Sequence, residues 1–119
     1  MKKNKIEITL IRFIFSIIII FFMPIYILVS KLQNPDLVEK RKEQGEKWLN
    51  LVREKVPDIK WIAHYAILGP YDFLDIFEVK NEQEAAKVSL LSRSAGAAFA
   101  ESWTAIPYTE FLDLVEDLK

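Results

Sequence analysis

Hydrophobic and polar positions follow different rhythms along the chain, and each rhythm predicts an element. From Ile8 to Val29 the only charged residue is Arg12, a run long enough to cross a bilayer as a helix. Pro24 interrupts it, and Ile25, Tyr26, Ile27, Leu28 and Val29 are mostly β-formers, so the second half predicts a strand. About Ile6 to Phe22 then remains as an apolar helix, at the short limit for a span. Asn34 and Pro35 form an N-cap with proline at the first helical position, and a helix is expected from there to about Lys55. Val38, Leu49, Val52 and Val56 fall on one helical stripe with Trp48 beside them, while Glu39 to Lys47 is mostly charged and faces solvent. Gly45 on that stripe either weakens the helix or permits close packing.

Pro57 and Asp58 end this helix, and two β-rich runs follow, Trp61 to Leu68 and Phe73 to Val79, joined as a hairpin by Gly69, Pro70, Tyr71 and Asp72. Asn81 followed by Glu84 has the spacing of a capping box. Ala85, Val88, Leu91 and Ala95 trace a buried face until Gly96 stops the helix. Phe99 to Ile106 predicts a fourth strand. After Pro107, Phe111, Leu114, Val115 and Leu118 predict a terminal helix that packs on the domain.

The fold class implied is α+β: a ferredoxin-like βαββαβ antiparallel sheet with helices on one face, plus the N-terminal apolar helix. Residues 1–22 form a leader and residues 23–119 the domain. The leader reads either as a membrane anchor with the domain on the cytoplasmic side, or as sequence upstream of a true start at Met23. Lys2, Lys3 and Lys5 suit a signal peptide, but no small-residue cleavage pattern follows.

The 119 residues, 51% hydrophobic and 28% charged, suffice for one packed domain. A net charge of -1 provides no basic field for nucleic acid. With no cysteine and a single histidine, thiolate chemistry is excluded, no metal site is expected, and no motif calls for a cofactor.

At Gly69-Pro70-Tyr71-Asp72 the chain resembles the GYD domain family of bacterial and archaeal proteins. Met23-Pro24-Ile25-Tyr26 is similar to that family's opening strand, Asn81 to Glu84 to its acidic helix cap, and Glu101 and Phe111 to its late strand and closing segment. The resemblance covers about Met23 to Phe111. It implies a dimeric α/β barrel, in which two sheets face each other and sometimes enclose a small-molecule site, and it implies no established activity. The charged first helix of the domain, His64 and Asp75 depart from the family's pattern.

Pairing Leu68 with Phe73 places His64, Ala66, Phe73, Asp75 and Phe77 on one sheet face and Ala63, Tyr65, Ile67, Leu74 and Ile76 on the other. The second set is more continuously apolar and is expected, with Ile25, Ile27 and Val29, under the helices. The open face then carries Tyr26, His64, Asp75, Glu101 and Trp103. On this register His64 and Asp75 are diagonal neighbours, fit for general acid or base catalysis or for a polar pair in a dimer interface. Tyr26, Tyr71, Asp72, Glu101 and Trp103 are candidate ligand-binding residues. Asp72 also suits a turn, Glu101 a pair with Arg93, and Trp103 interface packing.

Three functions follow. The first is a homodimeric binding or assembly module with a small-molecule site between the sheets. The second is a cofactor-free enzyme that moves protons through His64, helped by Asp75 or Asp72, and needs a pocket beside His64. The third is an adaptor tethered to a membrane through residues 1–22.

Overall fold

The computed structural model of the chain describes residues 5–21, 23–33 and 40–119. Its elements are α1 (Lys5–Phe21), β1 (Ile25–Leu32), α2 (Arg41–Lys55), β2 (Lys60–Ala66), β3 (Phe73–Glu78), α3 (Glu82–Ser94), β4 (Ala97–Ala105) and α4 (Tyr108–Asp117). The strands form one antiparallel sheet in the order β2-β3-β1-β4. From β1 onward the chain therefore runs βαββαβ, with the first and third strands central. The expected start of α2 at Asn34 and Pro35, and Val38 on its stripe, lie outside the described residues.

Local chemistry explains the boundaries. The Asn81 side chain accepts a hydrogen bond from the Glu84 amide at 3.0 Å and starts α3. Glu84 does not return the bond to the cap; its carboxylate pairs with Lys87 at 3.0 Å. Gly96, at φ 105°, supplies the left-handed residue that turns the chain from α3 into β4. The register slips between Trp61 and Ala63 in β2, a bulge that displaces Ile62 and leaves Trp61 and His64 on the same face of the sheet.

Pairing sorts the strand residues into two faces. Tyr26, Leu28, Asp75, Phe77, Trp61, His64, Ala100 and Ser102 share one; Ile25, Ile27, Val29, Ala63, Tyr65, Leu74, Ile76, Glu101 and Trp103 share the other. The helices cover the first: Tyr26, Leu28, Phe77 and Ala100 are buried with Val52 of α2 and Val56 at its C-cap, Ala85 and Val88 of α3, and Val79. This reverses the expected assignment. Continuous apolarity marks the helix-free face here, because the covered face meets α3 through polar groups that satisfy one another. Ser102 bonds Ser89 at 2.6 Å and donates to the Ala85 carbonyl at 3.0 Å.

The two covering helices sit differently. Small residues bring α3 close to β4 and β1, whereas no Cα of α2 comes within 8 Å of a strand Cα. Trp48 helps to bridge the wider gap, donating from Nε1 to Ser92 Oγ of α3 at 2.9 Å and meeting the Trp61 ring at 5.3 Å.

The terminal helix forms but does not pack as expected. Among the described residues no Cα of α1 or α4 comes within 8 Å of a Cα in another element, and every residue of α4 is exposed. Among the described residues no helix is long and apolar enough to cross a membrane.

Candidate functional site

The wedge left by the distant α2 opens into a cavity of about 380 Å³ between α2, the α3–β4 turn and the covered sheet face. His64 and Asp75 meet on its floor. They are directly opposed in the register, not diagonal, because β2 ends at Ala66, which pairs with Phe73. His64 Nδ1 lies 2.7 Å from Asp75 Oδ1. The carboxylate is buried, while 42% of the imidazole side chain remains exposed. Burial pushes the Asp75 carboxyl above the ordinary carboxylate value, against the opposing pull of its hydrogen bond with His64, the charge of His64 and the Arg41 guanidinium.

Aromatic rings hold this pair in place. Trp61 packs 4.8 Å from His64 and 5.5 Å from Phe77, and Tyr26 stacks on Phe77 at 5.8 Å. Tyr26 thus shares a face with the pair but belongs to the core and does not line the cavity. Burial, with the charge of Glu82, raises its phenol above the usual value. Among the described residues Trp61 Nε1 is buried without a hydrogen-bond partner.

Arg41, Gln44, Gly45 and Trp48 of α2 form the cavity's helical wall, with Phe73 on β3 facing them. The Arg41 guanidinium lies over the Phe73 ring, 4.4 Å from its centroid. With Nδ1 turned to a carboxylate, the His64 imidazole offers Nε2 for proton exchange with a bound molecule.

The remaining expected residues gather elsewhere. Asp72 extends the ladder between β3 and β1: its amide donates to the Ser30 carbonyl at 2.9 Å, and its carboxylate accepts the Leu32 amide at 2.8 Å. Tyr71 reaches the helix-free face, where it stacks on Phe99 at 5.5 Å and meets the edge of Trp103 at 5.9 Å. Glu101 accepts a hydrogen bond from Trp103 Nε1 at 2.8 Å. Arg93 does not pair with it but donates to the Ala100 carbonyl. Glu101 and Trp103 therefore lie on the opposite face from Tyr26, His64 and Asp75. Among the described residues no group of three or more histidine or acidic side chains could hold a metal ion.

The model of the GYD domain family matches residues 26–115. The chain belongs to this family. A protein of Thermus thermophilus named glutamine synthetase and cystathionine beta-lyase binding protein is 32% identical to this GYD protein over 99 residues, 82% of the chain and all of the relative. No solved structure matches it.

Within this GYD domain, sequence reasoning missed the whole α2 contribution to the cavity. Arg41 and Gln44 sit in a run that reads as a solvated face, and only three-dimensional proximity to Phe73 and Asp75 separates them from their neighbours. One signal was present. A glycine on the apolar stripe of a helix costs stability, and Gly45 is where α2 borders the cavity.

Proposed function

We propose that this GYD protein is a homodimeric binding module whose helix-free sheet face rests on the same face of a second copy. The observation that carries the reading is the apolar surface of the helix-free face: half-buried Ile25, Ile27, Leu74 and Ile76 run across the two central strands around the buried Val29, with Tyr65 and Trp103 exposed on the edges. A contiguous apolar patch on one side of a sheet calls for a cover. Its rim carries both signs, with Lys60 and Glu78 at one edge and Glu101 and Lys31 paired across β4 and β1 with Val29 and Phe99 at the other. A two-fold contact places the same patch on both partners, so a mixed rim suits a second copy better than a strongly charged partner. Resemblance to dimeric α/β barrels points the same way, and Tyr71, Glu101 and Trp103 would then line the space between sheets.

The relative's name adds a role for the assembled module: binding another protein. It makes purified glutamine synthetase the first partner to test, by titration against the full chain. Assembly itself is tested by light scattering. The full chain is expected at twice its 13.9 kDa mass, and the Ile76→Arg variant at the single mass. A wild-type monomer at micromolar concentration contradicts the reading.

A second reading, proton transfer on a small organic substrate, is favoured by the cavity beside His64 and Asp75. Asp72 supports it less, since its carboxylate is held by the Leu32 amide. Solvent-deuterium incorporation into small carbonyl compounds, lost in His64→Gln, would support this activity; no incorporation with any of them counts against it. The membrane-tethered adaptor gains no support, given the absence of a membrane-crossing helix among the described residues.

A further inference from the structure

Four observations converge on the space between α2 and the sheet. The first is Gly45. A glycine inside a helix costs roughly 1 kcal/mol relative to alanine and is commonly kept for a close approach or a left-handed backbone. Neither applies: a Cβ at Gly45 would meet nothing within 4 Å, and the only positive φ among the described residues is at Gly96. What the missing side chain leaves is open volume, on the wall of the cavity.

The second is charge. Among the described residues Asp75 is the one carboxylate lining the cavity, and it is already matched by His64 at 2.7 Å. Arg41, by contrast, makes no ion pair or hydrogen bond among the described residues; its guanidinium rests on Phe73. A guanidinium over a ring gives up no N–H donor to it, and those donors have the fork geometry that fits a carboxylate. The third is the lining. Trp48, Phe73, Leu32 and Leu49 offer apolar walls and Gln44 an amide, the mixture found around small organic ligands. The fourth is size, since about 380 Å³ sits at the small end of the roughly 300–1,000 Å³ common for such pockets.

From these we infer that the cavity is a binding site for a small organic carboxylate, with Arg41 as its cationic anchor and Trp48 and Phe73 as walls for its apolar body. One fixed cation beside a buried carboxylate matches a monoanion. A phosphate dianion would meet the Asp75 carboxylate with Arg41 as the one Lys or Arg side chain among the described lining residues to offset it. The site lies on the opposite side of the sheet from the proposed dimer contact, so it stands or falls independently of dimerisation. It also holds whether or not His64 transfers a proton.

His64 is the only histidine, so its ring signals in a proton NMR spectrum report on this cavity without assignment of the rest. The full chain is titrated with phenylacetate, benzoate and indole-3-acetate, and in parallel with phenylacetamide, the neutral counterpart of the first. The expected result is a saturable shift of the His64 signals with at least one carboxylate, and binding of phenylacetamide weaker than phenylacetate by about tenfold or more. Arg41→Gln should lose a similar factor, while Arg41→Lys, which keeps the charge but not the fork, falls between. Gly45→Leu should abolish the shift by filling the space, in a helix that leucine favours over glycine. That arm decides the matter if Arg41→Gln fails to fold. Equal binding of phenylacetate and phenylacetamide overturns the inference. So does carboxylate binding indifferent to Arg41→Gln or to Gly45→Leu, and so does the absence of a saturable shift with all three carboxylates up to about 10 mM.

Discussion

The two faces of the sheet in this GYD protein differ in a way that inverts a common expectation. Beneath the helices lie Leu28 and Phe77, fully buried, but also a histidine, an aspartate and several serines. On the side without helices the central strands present half-buried Ile25, Ile27, Leu74 and Ile76 around the buried Val29. A sheet under helices tolerates polar groups if partners reach them, and here α3 supplies hydroxyls and carbonyls while β2 supplies an imidazole. Among the described residues no helix packs on the other face, and its apolarity is what the proposed second copy would cover. Apolar continuity therefore says that a face is to be buried, without saying by what.

The largest test of this contrast is truncation of neighbouring side chains on opposite faces. Phe77→Ala should cost about 3–5 kcal/mol of unfolding free energy, whereas Ile76→Ala, one residue away, half-buried and facing the other side, should cost clearly less in the monomer. Denaturant titration at a concentration that keeps the chain monomeric compares them, and equal losses would break the distinction. Next in size is His64→Ala, which leaves the buried Asp75 carboxylate without its partner and should destabilise by about 1–3 kcal/mol.

A smaller effect appears in pH dependence. The folded state holds the Asp75 proton more readily than the unfolded state, since burial raises this carboxyl above its ordinary value. Its contribution to stability is accordingly fullest below the ordinary carboxylate value and declines as pH rises from there through the raised value. His64 on β2 and Arg41 on α2 are the charged groups that face it, and both remain in Asp75→Asn. Wild-type stability minus that of the variant should fall as pH rises through this window; a difference that is flat or grows with pH contradicts the account. The smallest change is Gly45→Ala. With nothing within 4 Å of the new Cβ, it should stabilise by roughly 0.5–1 kcal/mol in thermal or denaturant unfolding.

Much of the fold was legible because local signals agreed with the global one. Pro24 followed by an apolar β-forming run, Asn81 three residues before Glu84, and Gly96 between helix and strand each marked a boundary that the structure places within a few residues. The order βαββαβ followed from those marks. Parity also joined His64 to Asp75 correctly, since a two-residue error in hairpin register preserves the face. What parity could not provide was which face the helices take, and so Glu101 and Trp103 were grouped with the wrong partners. The cavity was illegible for a different reason. It arises from the separation of α2 from the sheet, a packing distance set jointly by Trp48, Trp61 and the small residues of α3, and no single segment records it. The terminal helix shows the same limit: Phe111, Leu114, Val115 and Leu118 have helical spacing, and α4 forms, yet all four side chains stay exposed.

The central claim is that the helix-free face is covered by a second copy, and labelling a single cysteine tests it most directly. The chain has no cysteine of its own, so Trp103→Cys places one thiol on that face, at a position 41% exposed in the single chain. Asn50→Cys places a control on the solvent side of α2. The account predicts that the maleimide reaction of the Trp103→Cys variant slows as protein concentration rises while that of the Asn50→Cys variant stays constant. Equal, concentration-independent rates at both positions would contradict it.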